Sequence, residues 1–387
     1  MAAPTVGAPA AAASTGRTGR VPDSLKPGGE LDRLAAKLAA KDQFSGSLLV
    51  THRGRTVLSR SHGFANKGTG LRNRPDTRFF LASVTKVFTA LAVHQLVQRE
   101  KVKYDDKLGT YLQGFPTEIA DEVTVHHLLT HTSGLGNFQL LPGWREDSRT
   151  WDSAEEMFNG TLDHVRRDGA GLAFKPGAGS LYSNSGFLLL GAIVASASQG
   201  SYYDYMAEHV FEAAEMRDSG FFTKPEWRMD SRMAHPYYQR EGQTGWTDGL
   251  EQNDFIGLPA GGSFATCADL DRFARALMHG KLLEAPYVQL MLGPKHPGLA
   301  QKPSESGEPP EPPEEEPGVT VFSAYGLGTR LINGVWQHGH SGGSPTGAST
   351  WFEFFPGSDF VFAVLGNYGS QASAPIAELA RRLIAQA

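Results

Sequence analysis

Cysteine is almost absent from this sequence of 387 residues: Cys267 is the single one, so no disulfide can form within the chain. Cys267 stands where a helix is predicted to begin, among small and apolar neighbours. We therefore interpret it as a small buried residue and not as a reactive thiol.

Clusters of positive charge are also absent. The 36 lysines and arginines are outnumbered by 41 acidic residues, which gives a formal net charge of −5. Proteins that bind nucleic acids concentrate basic residues against the phosphates. The composition therefore argues against a nucleic-acid partner.

Long apolar runs are missing as well. The longest covers residues 186–197, which is too short to span a bilayer and is typical of a buried helix. Residues 1–27 are rich in Ala, Pro, Thr and Gly, and have neither the charged start nor the apolar centre of a signal peptide. We expect no membrane span, and a disordered leader at 1–27.

Hydrophobic periodicity predicts both helices and strands along the rest of the chain. Helices are predicted from near Ser83 and at 30–41, 106–112, 125–130, 153–167, 184–198, 201–214, 268–279, 285–292 and 373–387. Strands are predicted in two halves of 47–65, around a turn at 53–55, and at 325–332, 334–338, 348–355 and 359–367.

This order of elements predicts a mixed α/β (α+β) fold. An antiparallel sheet is built from both ends of the chain and flanked by the terminal helices, with a mostly helical lobe inserted. The chain is longer than one hydrophobic core usually sustains. We expect a sheet lobe at 28–80 and 262–387, a helical lobe at 81–261, and a site between them. Residues 302–318 are acidic and proline-rich, which predicts an exposed insertion loop.

The first candidate site is the pair Ser83 and Lys86. Residues three apart on a helix share one face, so the amine can reach the hydroxyl. A hydroxyl becomes a good nucleophile when a nearby base takes its proton, and a desolvated lysine is such a base. On its own, the spacing is more typical of a helix cap followed by a surface lysine.

Two further motifs carry polar groups suited to the same chemistry. Tyr182 and Asn184 follow a glycine-rich approach; a phenol beside a lysine is expected to have a lowered pKa and to share proton transfer. Asn184 offers a donor and an acceptor to a substrate amide, or caps a helix. His340, Ser341, Gly342 and Gly343 are expected on an edge strand, where glycine lets a substrate backbone approach.

Two competing motifs are rejected. Residues 339–343 match the Gly-x-Ser-x-Gly nucleophile elbow, but no histidine follows His340, and a strand follows where that fold needs a helix. The histidines at 126, 127 and 131 have no set of carboxylate or cysteine partners for a metal. We expect neither a metal nor a cofactor.

The ordered motifs resemble the serine β-lactamase and penicillin-binding protein superfamily, in its class C-like branch with carboxylesterases and D-peptidases. The stretches 126–135 and 259–270 add to this resemblance, which covers about residues 28 to 387. It implies a nucleophile at Ser83, a proton-transfer pair of Lys86 and Tyr182, and substrate contacts at Asn184, His340, Ser341 and Gly342. It implies an oxyanion hole from the backbone N–H groups of Ser83 and Gly343.

One departure from the family pattern shapes the expected function. Many members have Lys-Thr-Gly where this chain has His340-Ser341-Gly342, so a permanent cation becomes a mostly neutral imidazole. We therefore expect an esterase-like serine hydrolase with weak or no β-lactamase activity. Its substrate would be a small ester, amide or peptide.

Other functions stay open from the sequence. A D-amino-acid peptidase, a D,D-carboxypeptidase or a β-lactamase would share every motif. An acyltransferase or a non-catalytic penicillin-binding sensor is also compatible with them. The resemblance implies a secreted or periplasmic protein, although no signal peptide is visible, and the oligomeric state cannot be read from the sequence.

Overall fold

The structure is a computed structural model that describes residues 21–168, 171–240, 242, 244–301, 317–369 and 371–387. The strands are β1 (Gly46–His52), β2 (Arg55–His62), β3 (Phe64–Asn66), β4 (Leu71–Arg72), β5 (Phe79–Phe80), β6 (Tyr237–Gln239), β7 (Trp246–Asp248), β8 (Phe264–Ala265), β9 (His296–Pro297), β10 (Val319–Ser323), β11 (Gly328–Ile332), β12 (Val335–Ser344), β13 (Ala348–Phe355) and β14 (Phe360–Gly366).

An eight-stranded antiparallel sheet organises these strands, in the order β2-β1-β14-β13-β12-β11-β10-β9. β1 pairs with β14 from Gly46 opposite Gly366 to His52 opposite Phe360. The first and last strands of the chain therefore lie side by side within the sheet. Three short two-stranded sheets, β3-β4, β5-β8 and β6-β7, lie outside it.

Helices cover the two faces of the sheet. They are α1 (Glu30–Ala40), α2 (Thr85–Gln98), α3 (Thr117–Ala120), α4 (Val125–Leu129), α5 (Trp144–Ser148), α6 (Ala154–Asp168), α7 (Asn184–Ser198), α8 (Tyr202–Tyr205), α9 (Lys224–Met229), α10 (Cys267–Met278), α11 (Ala285–Leu292) and α12 (Ala374–Ala385). A π-helical segment, Met206–Glu212, continues α8, and short 3-10 turns include Ala82–Val84 and Leu108–Thr110.

The alternation of side chains along β14 divides the core between the two faces. Phe360, Phe362 and Val364 pack with α1 and α12. The residues between them, such as Ala363 and Leu365, pack with the large cluster that includes α2, α7 and α10. Helix α2 is buried on nearly every side from Thr85 to Leu96, so its first turn is held rigidly against the sheet.

The predicted mixed α/β class, with an antiparallel sheet and flanking terminal helices, is confirmed. The division into two lobes stays a prediction. The prediction for 106–112 is wrong, because this stretch forms a single 3-10 turn, Leu108–Thr110. The short strands β4 to β10 were not predicted, and β12 is a single strand that joins the predicted run at 334–338 to the strand expected at 340–343.

Both predicted irregular segments fall mostly outside the described residues. Of the leader at 1–27, residues 1–20 lie outside them, but residues 21–27 are ordered and Leu25 is fully buried beside α1 and α12, so the predicted end of the leader is wrong. Residues 302–316 of the predicted insertion loop also lie outside. Within the described ranges, no helix combines the length and the apolar character needed to cross a bilayer.

Candidate functional site

Ser83 lies in the 3-10 turn that leads into α2. The residue before it, Ala82, is buried and has a φ of +46°, a left-handed conformation that costs about 1–3 kcal/mol away from glycine. Hydrogen bonds from neighbouring segments hold this conformation: the Leu81 N–H donates to the Ser263 carbonyl at 2.8 Å, and the Gly262 N–H donates to the Ala82 carbonyl at 3.3 Å. The strained turn therefore fixes the direction of Ser83.

Two buried threonines brace the same turn from inside. The Thr85 hydroxyl donates to the Ala82 carbonyl at 2.8 Å, and the Thr350 hydroxyl of β13 donates to the Leu81 carbonyl at 2.9 Å. The turn is thus tied both to its own helix and to the sheet. Ser83 has little freedom to move relative to β12 and β13.

Lys86 is fully buried, and three acceptors surround its amine. Nζ lies 3.3 Å from the Ser83 hydroxyl, 2.7 Å from Asn184 Oδ1 and 2.5 Å from the Ala260 carbonyl. A neutral amine has two N–H donors and one lone pair. The two carbonyl oxygens can accept two N–H donors, and the Ser83 hydroxyl lies within reach of the third position of the amine, which in the neutral form is the lone pair that can accept a proton.

Tyr182 covers the lysine from above. The Lys86 Nζ lies over the Tyr182 ring, 4.7 Å from its centre. Burial raises the pKa of Tyr182 above the usual value of 10, while the interaction of its hydroxyl with Ser83 lowers it by less. The expected lowering of this pKa is therefore wrong, because the removal of water from the phenol outweighs the interaction with Ser83.

The Tyr182 hydroxyl faces Ser83 at less than ideal hydrogen-bond geometry. It is buried and reaches no acceptor among the described residues at full hydrogen-bond geometry, while Ser83 is the side chain that acts on its pKa. A protonated phenol in this position can donate a proton to a group bound at Ser83. Because its pKa is raised, the Tyr182 phenol stays protonated and does not serve as a phenolate base.

Asn184 links Lys86 to the loop between α4 and α5. Its Oδ1 accepts from Lys86, its Nδ2 donates to Gln139 Oε1 at 3.0 Å, and its backbone N–H donates to Asn137 Oδ1 at 2.7 Å. The amide of Asn184 is therefore oriented from both ends. Only contacts across the fold reveal Asn137 and Gln139, which carry no motif.

The four predicted residues of β12 lie against the Ser83 turn. The ring of His340 lies 6.2 Å from that of Tyr182, and its Nδ1 donates to the Ser341 carbonyl at 2.5 Å. A Cβ atom at Gly342 would lie 2.1 Å from the Leu81 carbonyl oxygen and 3.1 Å from the Ser83 nitrogen. Glycine is therefore required at 342 for the strand to approach Ser83.

The expectation of an edge strand needs correction. β12 lies inside the sheet, between β13 and β11. β11, however, pairs only as far as Gly328 opposite Gly339, while β12 continues to Ser344. In the part of the chain that the structure describes, the end of β12 from His340 onwards therefore overhangs β11, which provides the open edge that the sequence suggested.

A cavity of about 320 Å³ opens beside these groups. Its lining includes Ser83, Tyr182 and the strand residues 340–343, together with the apolar Leu299 and Leu327. The aromatic residues in the loop stretches 136–151 and 237–258 suit either a pocket for an apolar group or plain packing of the loops. Phe138, Trp144 and Tyr237 are buried core residues, so for these three the packing interpretation is correct.

The three histidines of residues 126–131 have different hydrogen-bond partners. His126 shares a hydrogen bond with the Tyr325 hydroxyl at 2.8 Å, and His127 belongs to the N-terminal cap of α4 with Thr124. His131 lines the cavity and stacks on Tyr182, a position that its sequence motif did not indicate. Among the residues that the structure describes, no group of three His, Cys, Asp or Glu side chains could hold a metal ion.

Comparison with known protein families identifies a family model that matches most of this chain. The family model named Beta-lactamase matches residues 31–386. Penicillin-binding protein 4* of Bacillus subtilis (strain 168) is 32% identical over 257 residues, which cover 64% of this chain and 55% of that protein. Esterase EstB of Burkholderia gladioli is 36% identical over 223 residues, 55% of this chain and 54% of that protein. The aligned part spans little more than half of these relatives.

Solved structures have the same fold. A penicillin binding protein from Bacillus halodurans matches with a TM-score of 0.73 at 28% identity and covers 89% of this chain and 98% of its own. The D-amino acid amidase from Ochrobactrum anthropi SV3 matches with a TM-score of 0.70, covering 92% of this chain and 97% of its own. At 22% identity, the second likeness concerns the fold alone.

Proposed function

This chain belongs to the beta-lactamase family, and we propose that it is a serine hydrolase that cleaves ester or amide bonds through a covalent acyl-enzyme. The observation that carries the proposal is the contact between the Lys86 amine and the Ser83 hydroxyl, 3.3 Å apart in a buried site. A nucleophile and its base within reach of each other are the minimum for this chemistry. The strained turn at Ala82 supports the same assignment.

The proposed reaction has two halves. Ser83 Oγ attacks the substrate carbonyl while its proton passes to the Lys86 amine. The bond to the leaving group then breaks, and Tyr182 donates the proton that the leaving oxygen or nitrogen takes up; the proton on Lys86 replenishes Tyr182. Water then attacks the resulting ester of Ser83 and gives one proton to the Lys86 amine; the bond to Ser83 Oγ breaks, the acid is released, and Lys86 returns that proton to Ser83 Oγ.

Backbone donors would stabilise the negative oxygen of the tetrahedral intermediate. We assign this role to the N–H groups of Ser83 and Gly343. The close approach of Gly342 to the Ser83 nitrogen supports it, because a neighbouring strand residue then lies beside the same N–H. Donors fixed by the fold need no rearrangement when charge develops, and one such donor is typically worth about 10²–10³ in rate.

The polar and apolar groups around the cavity together favour an ester with an apolar component. Asn184 and His340 would contact the substrate, with the backbone of Ser341 and Gly342 along the open strand edge. Leu299 and Leu327 supply apolar surface in the same cavity. The 36% identity to Esterase EstB supports this class of substrate. The penicillin-binding relative keeps a D,D-peptidase as the second candidate.

A direct comparison of substrates tests the proposal. We expect rapid hydrolysis of a short-chain nitrophenyl ester and slow or no hydrolysis of a chromogenic cephalosporin. Fast cephalosporin hydrolysis would make the protein a β-lactamase. Activity restricted to peptides that end in D-residues would make it a peptidase, and a stable adduct without turnover would indicate a sensor or an acyltransferase lacking its acceptor.

His340 is the residue that we expect to set this preference. His340→Lys places a permanent cation where a substrate carboxylate would lie, and a charge-assisted hydrogen bond is worth about 1.5–3 kcal/mol. We expect kcat/KM for the cephalosporin to rise about tenfold relative to that for the ester. His340→Gln is the matched control without a charge; an equal gain in both variants would contradict the electrostatic explanation.

A further inference from the structure

His131 contacts the segment around Tyr182 at three points. Its carbonyl accepts the N–H of Leu181 at 2.9 Å, and its Nδ1 accepts the N–H of Ser183 at 3.1 Å. Its ring stacks on the Tyr182 ring at 4.5 Å between centres and 30° between planes. The residues on both sides of Tyr182, and Tyr182 itself, are thus held by one histidine.

These contacts define the tautomer of His131. A backbone N–H can only donate, so Nδ1 must carry a lone pair and the ring proton must lie on Nε2. Burial, Lys86 and His340 together hold the pKa of His131 well below its usual 6.5. The imidazole therefore stays neutral at neutral pH, and Nδ1 remains an acceptor.

The backbone of His131 is also unusual. Its φ of +60° lies in the left-handed region, which is uncommon for residues other than glycine. Such a conformation costs about 1–2 kcal/mol and persists only where the surroundings enforce it. Here it allows the carbonyl and Nδ1 of one residue to reach the N–H groups on either side of Tyr182.

We propose that His131 is a positioning residue for Tyr182: its carbonyl and Nδ1 fix the backbone around Tyr182, and its ring fixes the plane of the phenol over Lys86. This proposal rests on the proposed function, because it concerns the geometry of the proton donor. His131 itself exchanges no proton with the substrate. The acceptor at Nδ1 is the essential element, since it determines where residue 183, and with it the Tyr182 side chain, is held.

Two variants separate the acceptor from the ring. His131→Asn keeps an acceptor at the Nδ1 position and tolerates the left-handed backbone, but loses the stacking ring. His131→Phe keeps the ring but has no acceptor. We expect His131→Asn to retain kcat on an alkyl ester, whose leaving group needs a proton, within about threefold, and His131→Phe to lose about 10- to 100-fold in that kcat with little change in KM.

His126→Phe is the matched control, because it makes the same change in a half-buried histidine five residues earlier that contacts Tyr325 and not Tyr182. Its kcat should stay close to that of the wild type. A wild-type kcat in His131→Phe would overturn the proposal. So would equal losses of kcat and of melting temperature in both His131 variants, since a merely structural role predicts them.

A spectroscopic measurement tests the proposal without activity. In nitrogen-15 NMR spectra of the full chain, assigned by comparison with His131→Asn, we expect an unprotonated Nδ1 and a protonated Nε2 at neutral pH. A proton on Nδ1 would overturn the proposal. If the tautomer is as expected but the wild type hydrolyses no ester, the proposed function fails while the positioning geometry stands.

Discussion

At the scale of single residues, the proposed mechanism depends on a proton that passes among Ser83, Lys86 and Tyr182. Lys86 is fully buried and surrounded by acceptors that carry no formal charge: the Ser83 hydroxyl, the Asn184 amide and the Ala260 carbonyl. The Lys86 Nζ lies 3.3 Å from the Ser83 hydroxyl, which places it to take the proton of the nucleophile. Tyr182, whose pKa is raised, stays protonated and is suited to the complementary role of acid.

Removing the Tyr182 hydroxyl tests this division of roles. Tyr182→Phe keeps the ring over Lys86 and removes only the proton donor, so we expect kcat to fall by about 10²–10⁴, the usual size of acid–base effects. The loss should be smaller for an ester with a nitrophenol leaving group, which needs no protonation, than for an alkyl ester. An unchanged rate on both would assign the proton transfer to Lys86 alone.

At the scale of elements, the site is a junction between the start of α2 and the overhanging end of β12. The two elements are far apart in the sequence, and the absence of a side chain at Gly342 allows close contact between them. The Thr350 hydroxyl of β13 also stabilises this junction, because it donates a hydrogen bond to the Leu81 carbonyl. The geometry of the site is therefore a property of the packing between sheet and helix.

Adding a single methyl group at this junction should disturb it. In Gly342→Ala, the new Cβ would lie 2.1 Å from the Leu81 carbonyl oxygen and 2.5 Å from Thr350 Oγ1. Such overpacking typically costs about 1–3 kcal/mol, and here it would push β12 away from Ser83. We expect a lower free energy of unfolding in urea and a lower kcat on the ester.

Gly357→Ala is the control, because no heavy atom lies within 4 Å of its added Cβ. Its free energy of unfolding should stay within about 0.5 kcal/mol of the wild type, with full activity. If Gly342→Ala behaved in the same way, the close contact between β12 and the Ser83 turn would be disproved.

At the scale of the whole molecule, the sheet pairs the first long strand of the fold with the last one. β1 and β14 pair across more than three hundred residues, and α1 and α12 cover them from one side. A buried ion pair attaches α12 to the sheet: Arg381 Nε lies 3.1 Å from both carboxylate oxygens of Glu353, whose side chain is 2% exposed. The C-terminal helix is thus integral to the sheet that carries β12.

Breaking this pair should be costly. Arg381→Ala leaves the Glu353 charge buried without its partner, which typically costs about 3–5 kcal/mol. Urea denaturation followed by circular dichroism measures the effect. The pair Arg228 and Glu251 is 49% and 62% exposed, so Arg228→Ala should cost at most about 1 kcal/mol. Equal small losses in both variants would show that α12 is held by apolar packing alone.

The sequence predicted the features that depend on short stretches of neighbouring residues. Periodicity identified α1, α2, α7 and α12, and spacing identified Ser83, Lys86, Tyr182 and Asn184, which the fold brings together. The positions it missed depend on tertiary contacts: Gln139 and His131 meet the site across the fold, and the strain at Ala82 exists only because other segments enforce it. Strand β10 has five residues, most of them half-buried, and it begins directly after the acidic, proline-rich stretch.

The acylation of Ser83 is the most direct test of the central claim. We would mix the protein with a short nitrophenyl ester, stop the reaction within its first turnover, measure the intact mass and locate the added group by digestion. The account predicts one acyl group on Ser83 that disappears as turnover proceeds, and neither adduct nor turnover in Ser83→Ala with its fold intact. Wild-type hydrolysis in Ser83→Ala, or an acyl group on another residue, would contradict it.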